Sequence, residues 1–145
     1  MKINSDSKFF KYGLILVCLV LLIILYSQKR TRSQYAEAKQ LPFYNTAIES
    51  VADGVYVGKT DTSFCHVQLE VTVENHQIKN ITILEKKGSK GKNVDSIIQE
   101  MIEQNKTVVP AIKGEELASL VFISCADNAI HQGLNYEDNL SPSKN

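Results

Sequence analysis

The longest hydrophobic feature of the chain is an N-terminal run from Tyr12 to Tyr26 that contains no charged residue. Phe9 and Phe10 extend this run backwards across Lys11. As a helix, the stretch from Phe9 to Tyr26 would be about 27 Å long, close to the thickness of the hydrocarbon core of a bilayer. The pattern predicts a transmembrane anchor over residues 9–27, preceded by a short N-terminal end at residues 1–8.

A secretory signal peptide has a similar basic start and apolar centre, but it ends at a cleavage site made of small residues. Here the apolar run is followed by Gln28, Lys29, Arg30 and Arg32, which form no such site. We therefore expect the helix to be retained. Cations are nearly balanced on its two sides, so the charge pattern alone does not decide which side the domain faces.

The segment after the anchor is polar and mixed, and it is interpreted as a stalk over residues 28–50 with a short helix near residues 35–40. We expect the folded domain to occupy residues 51–134. The polar end of the chain, residues 135–145, is predicted to be a disordered tail.

The hydrophobic period changes to two within the predicted domain, where apolar and polar residues alternate from Cys65 to Glu74. This alternation is typical of a half-buried strand. A shorter strand is predicted at residues 55–59, and a third at residues 77–85 after a turn at Asn75-His76. The change of parity between Ile78 and Ile81 indicates a bulge in the third strand.

Two helical patterns follow the strands. Asn93 is a plausible N-cap for the first helix, and Lys113-Gly114 leads into a second helix that ends near Gly133. The apolar positions of the first helix are Val94, Ile97, Ile98, Met101 and Ile102. The predicted fold class is therefore α+β, a three-stranded antiparallel meander packed with two helices and preceded by one transmembrane helix.

The charge distribution argues against one class of partner. The chain of 145 residues has a formal net charge of zero, but residues 1–42 carry +5 and residues 43–145 carry −5. A folded region with this acidic balance is a poor match to nucleic acid, whose binding needs clustered cations. We expect no nucleic-acid partner, whereas the anchor makes the lipid bilayer an expected one.

Side chains that could carry chemistry are few and scattered. Cys65 and Cys125 would be able to pair in an oxidising compartment, but both lie on apolar faces, where buried thiols are more common. His66, His76 and His131 have no carboxylate or cysteine at a recognisable catalytic or metal-binding spacing. No catalytic constellation is visible, so any redox chemistry would be that of a bound cofactor.

Two segments of the chain, DGVYVG at residues 53–58 and NHQIKNI at residues 75–81, have a recognisable order and spacing. They resemble the opening DGxYxG and the hairpin of the small FMN-binding domain family, whose covalently flavinylated members include subunits of membrane-bound Rnf and sodium-pumping NADH:quinone oxidoreductase complexes. The resemblance extends from Asp53 to about Leu134. The resemblance implies FMN as cofactor, electron transfer with a redox partner protein, a domain outside the cytoplasm and a cytoplasmic end at residues 1–8.

The chain departs from the family at the loop that carries the flavin. The family's D-x-x-(S/T)-G-A-T is replaced here by PAIKGEE at residues 110–116, so that Glu116 stands where the flavinylated threonine would be. No phosphoester can form without that hydroxyl, and we predict that any FMN is bound non-covalently. The candidate cofactor-binding residues of this segment are Lys113, Gly114 and Ser119.

The lysine-rich loop at residues 86–92 is a second candidate phosphate cradle, with Lys90 and Gly91 as its binding residues. A solvated connection, or one that lies on anionic lipid headgroups, is an alternative interpretation of the same loop. The alternative for the whole domain is a degenerate, cofactor-free family member that acts as a membrane-tethered interaction module.

Overall fold

The computed structural model describes residues 6–88, 91 and 93–140, with side chains placed between residues 9 and 134 of these ranges. Helix α1 spans Asp6–Lys39 and is followed by a single 3₁₀ turn at Ile48–Ser50. The strands are β1 (Gly54–Asp61), β2 (His66–Glu74) and β3 (Gln77–Lys87), and the remaining helices are α2 (Val94–Gln104) and α3 (Glu116–Leu140). This arrangement confirms the predicted fold class.

The apolar part of α1 is exposed along its whole length, and the helix is long and apolar enough to cross a membrane. It does not end at the predicted boundary of the anchor. The short helix expected near residues 35–40 is instead the last part of one continuous helix that ends at Lys39. No proline or glycine interrupts residues 27–39, so the helix has no local reason to stop earlier.

The chain divides into two compact units, residues 1–36 and residues 37–145, and the boundary lies near the end of α1. The second unit therefore begins before the predicted domain start at Val51. Its core includes Ile48, which is almost completely buried in the segment predicted as stalk. At the other end, α3 continues to Leu140, into the segment predicted as a disordered tail, and residues 141–145 lie outside the described residues.

The sheet is an antiparallel meander in the order β1-β2-β3. Alternate residues of β2 from Val67 to Val73 are completely buried, and the residues between them face the other side of the sheet. Register shifts in the β2–β3 pairing make Lys79 and Leu84 the extra residues of β3. The first shift confirms the bulge that the parity change predicted, and the second was not predicted.

Both helices of the second unit pack on one face of this sheet. Helix α3 lies against β1 and β2, while α2 contacts β3 and α3. The core between them contains Phe122, which is fully buried, together with the inward side chains of β2. Because the helices cover one face only, the outward side chains of the sheet remain available for polar interactions.

Gly58 shows how closely α3 approaches the sheet. A Cβ atom at this position would overlap the carbonyl oxygen of Cys125 and lie 2.9 Å from the Cβ of Ala129. A larger residue at position 58 would therefore push α3 away from β1. The glycine therefore allows α3 to lie this close to β1.

Candidate cofactor loop and its surroundings

The predicted cofactor loop immediately precedes α3. Gly114 has φ = 86°, a left-handed conformation that favours glycine, and no atom lies within 4 Å of the place where its Cβ would be. Its N–H donates a hydrogen bond of 2.8 Å to Oε1 of Glu116. A backbone donor at the start of the loop is thus engaged by the carboxylate of Glu116. Lys113 is exposed beside it.

Ser119, a predicted cofactor-binding residue, holds the loop to the first turn of α3. Its side chain is almost completely buried. Its hydroxyl donates to the carbonyl of Glu115 at 2.8 Å and accepts from the N–H of Ile112 at 3.1 Å. The hydroxyl therefore both donates and accepts a hydrogen bond inside the loop, and Ser119 stabilises the loop conformation.

Glu115 links the loop to the start of α2. Its carboxylate accepts hydrogen bonds from the backbone N–H of Asn93 at 3.1 Å and from the Asn93 side chain at 3.2 Å. Asn93 is the N-cap residue of α2, as expected, but its side chain makes no capping hydrogen bond and its amide donates to Glu115 instead. The carboxylate thus occupies a backbone donor just before α2, a position that favours negative charge.

The second candidate loop meets the first at Gly91. A Cβ atom on Gly91 would lie 2.7 Å from Cγ2 of Val94, 3.0 Å from Cβ of Ala118 and 3.3 Å from Oε2 of Glu115. Lys86 donates from its Nζ to the carbonyl of Gly91 at 3.1 Å. The structure therefore brings Gly91 close to the start of α3, while Lys90 lies outside the described residues.

Two carboxylates at the start of α3 occupy backbone donors, Glu116 at Gly114 and Glu115 at Asn93. Glu115 and Glu116 are both in place to repel an approaching phosphate. The positive end of the α3 dipole already has an acidic residue in its first turn. This arrangement stabilises the helix start and reduces the capacity of the loop to bind an anion.

The residues of the DGVYVG motif have roles within the fold. Asp53 accepts the N–H groups of Asn75 at 2.8 Å and His76 at 3.1 Å, so it stabilises the β2–β3 turn. These hydrogen bonds lower the pKa of the Asp53 carboxyl. Tyr56 is partly buried against the core and donates from its hydroxyl to the carbonyl of Ala52 at 2.8 Å.

A polar cluster that sequence reasoning missed lies on the outward face of the sheet. Nδ1 of His66 contacts Asp61 on β1, and Nε2 lies 3.0 Å from Glu85 on β3. Hydrogen bonds with Asp61 and then Glu85 raise the pKa of His66. The sequence contained one indication of this cluster. Asp61 and His66 are separated by a four-residue connection between two predicted strands, and antiparallel pairing of those strands places them opposite each other.

Asp127 is a second residue that the sequence analysis did not single out. It is completely buried in α3 and accepts the N–H groups of Tyr44 and Asn45, the latter at 3.1 Å. Its other oxygen accepts from the Thr107 hydroxyl at 2.7 Å. Next to it, the ring of His131 stacks on Tyr44 at 3.7 Å. These contacts bind the segment after α1 to α3.

Comparison with protein families, curated proteins and solved structures found no match.

Within the residues that the structure describes, no three histidine, cysteine or acidic side chains are grouped so that they could hold a metal ion. Burial raises the pKa of Cys125 to about 11, which keeps it a protonated thiol in the core.

Proposed function

We propose that this chain is a membrane-tethered module that has an FMN-binding-type domain without a bound flavin and acts through contacts with another protein. The observation that supports this proposal is the occupation of the cofactor loop by its own carboxylates. Glu116 accepts the Gly114 N–H, and Glu115 accepts two donors of Asn93. The resemblance to the family supports a location outside the cytoplasm.

The distribution of retained and altered residues supports the same proposal. Asp53, Tyr56 and Gly58 match the family's opening motif, and each has a packing or hydrogen-bonding role in this domain. The altered residues lie in the loop that would carry the flavin. A domain that keeps its fold and loses its cofactor would depart from the family in this way.

Non-covalent FMN binding, with a role in electron transfer, is the second candidate. Gly114 keeps the left-handed conformation and the open space that close approach of a ligand requires. Lys113 is exposed beside it and would be able to pair with a phosphate. In this case the flavin would supply the redox chemistry, and the chain would bind it next to a redox partner protein.

Flavin content separates the two candidates. We expect the full-length chain, purified in mild detergent from cells supplied with riboflavin, to show no visible flavin absorbance and no quenching of added FMN. The Glu116→Thr variant, produced beside a flavin transferase, should also remain colourless, because Glu115 and the rest of the loop are unchanged. A covalently flavinylated family member produced in the same cells is the positive control. Stoichiometric flavin in the wild-type chain would contradict the proposal and support the second candidate.

The interaction role needs a separate experiment. Chemical cross-linking of the full-length chain in its native membranes should recover one protein partner in near-stoichiometric amount. We expect to recover the same partner with the Glu115→Gln variant, because partner binding by a cofactor-free module does not require this loop to hold a cofactor. Recovery of only the uncross-linked chain would contradict an interaction role.

A further inference from the structure

We infer that His66, Asp61 and Glu85 form a proton-dependent clasp that joins the three strands at one end of the sheet. Asp61 belongs to β1, His66 to β2 and Glu85 to β3, and all three side chains lie on the outward face. The clasp does not depend on whether the chain binds FMN, because the helices that follow the candidate cofactor loops pack on the opposite face of the sheet.

The geometry of the imidazole sets the protonation state. Nδ1 faces a carboxylate oxygen of Asp61, and Nε2 faces Oε2 of Glu85 at 3.0 Å. An ionised carboxylate only accepts hydrogen bonds, and a neutral imidazole has only one N–H donor. Both contacts are therefore hydrogen bonds only when the ring is a cation. Loss of one proton leaves one nitrogen lone pair facing a carboxylate.

Each carboxylate also has a cation on its own strand. Nζ of Lys59 lies 3.0 Å from Asp61, and Lys87 pairs with Glu85. These lysines keep the carboxylates paired when His66 becomes neutral, so the loss is confined to one of the two side-chain hydrogen bonds that the imidazole makes between strands. Gln68, the next residue of β2 on this face, is uncharged. Each carboxylate therefore has a cationic neighbour in both protonation states of His66, while the hydrogen bonds of the imidazole between strands differ.

The sign of the pH effect follows from the pKa directions. The pKa of His66 is raised by Asp61 and then Glu85, while those of Asp61 and Glu85 are lowered. Asp61 and Glu85 thus stay ionised across the pH range in which His66 titrates. The hydrogen bonds of protonated His66 therefore stabilise the folded domain fully at pH values below the unfolded histidine pKa of about 6.5. This stabilisation is lost as the pH rises through the higher pKa that His66 has in the folded domain.

The clasp closes the connection between β1 and β2. Ser63, in this connection, donates from its N–H to Glu37 at 2.7 Å, and its hydroxyl also contacts the same carboxylate. Glu37 belongs to the same compact unit and lies in the last turns of α1. Opening the clasp would therefore loosen the connection that receives Glu37, which makes this contact sensitive to pH.

The protonation state can be measured directly on the full-length chain in lipid nanodiscs by ¹⁵N NMR of labelled histidine rings. At pH 6 both ring nitrogens of His66 should carry protons, and the titration midpoint should lie above 6.5. The Asp61→Asn and Glu85→Gln double variant should lower the midpoint. Glu70→Gln, a change on the same face of β2, is the matched control and should leave it unchanged. A single neutral tautomer of His66 at pH 6 would overturn the inference.

Hydrogen exchange tests the conformational consequence. Protection factors for amides 61–66, corrected for intrinsic exchange, should fall about threefold between pH 5.5 and pH 8.5. The amides of the turn at residues 75–78 serve as an internal reference. In the His66→Gln variant the protection of residues 61–66 should be low at both pH values. An equally large pH-dependent loss in this variant would refute the clasp.

Discussion

Single residues of the DGVYVG sequence stabilise the turns and packing of the sheet. The carboxylate of Asp53 holds the turn at Asn75-His76, whose residues have φ values of 52° and 57°. This left-handed pair is typical of a tight hairpin between twisted strands. The motif therefore stabilises the meander that α3 packs on.

Gly58 provides the clearest test of the motif's structural role. The Gly58→Ala variant should lose about 3 kcal/mol of unfolding free energy, because the new methyl group overlaps the Cys125 carbonyl and crowds Ala129. Urea unfolding of the full-length chain in detergent, followed by tyrosine fluorescence, measures the change.

The matched control is Gly13→Ala, since no atom lies within 4 Å of a Cβ atom at that position. This control should leave the unfolding of the domain unchanged. Equal stability of the Gly58 variant and the wild type would show that α3 does not pack on β1 at this distance.

At the scale of elements, the strands and the two packed helices were predictable from the sequence. The alternation from Cys65 to Glu74 reports burial directly, because one face of β2 is covered by helices and the other is not. The parity change at Ile78 likewise revealed the first bulge. The second bulge, at Leu84, was missed because Ile83 and Leu84 are both apolar and hide the shift.

The start of the compact unit could not be predicted in the same way. Residues 41–50 have no period, and their attachment depends on partners more than 80 positions away in the chain. Ser124 donates to the carbonyl of Pro42 at 3.1 Å, and Asp127 accepts from Tyr44 and Asn45. The candidate cofactor loop shows the same limit, since the pairing of Glu115 with Asn93 joins the starts of two helices.

The attachment of this segment to α3 depends on Asp127. Asp127→Ala should reduce the unfolding free energy by about 3 kcal/mol, because it leaves buried donors of the segment and of Thr107 without their acceptor. Asp127→Asn keeps one carbonyl oxygen and should lose less. Limited proteolysis between residues 41 and 46 should be faster in the alanine variant.

Asn128→Ala is a suitable control, because the side chain of Asn128 is less buried and reaches only the Lys59 carbonyl at 3.4 Å. If the two alanine variants are equally stable, Asp127 is not what holds the segment to α3.

For the whole molecule, the main physical distinction is between a retained anchor and a removed leader. The apolar run of α1 is exposed in the structure, so water would have to solvate all of it if the helix did not enter a membrane. Lys29, Arg30 and Arg32 follow the run directly, where they can reach lipid headgroups. The exposed run fits a helix that enters a membrane, and the cations that follow it favour retention of that helix.

The mass of the mature chain tests retention. We expect the protein recovered from membranes to contain residues 9–27 and to resist extraction with alkaline carbonate. Replacing both Leu16 and Leu19 with arginine costs about 6 kcal/mol of insertion free energy and should release the chain from the membrane fraction. Gln28→Arg, placed in the polar flank, should remain membrane-bound. A mature chain that begins after residue 27 would show that the helix is a cleaved signal, and the domain would then act without a tether.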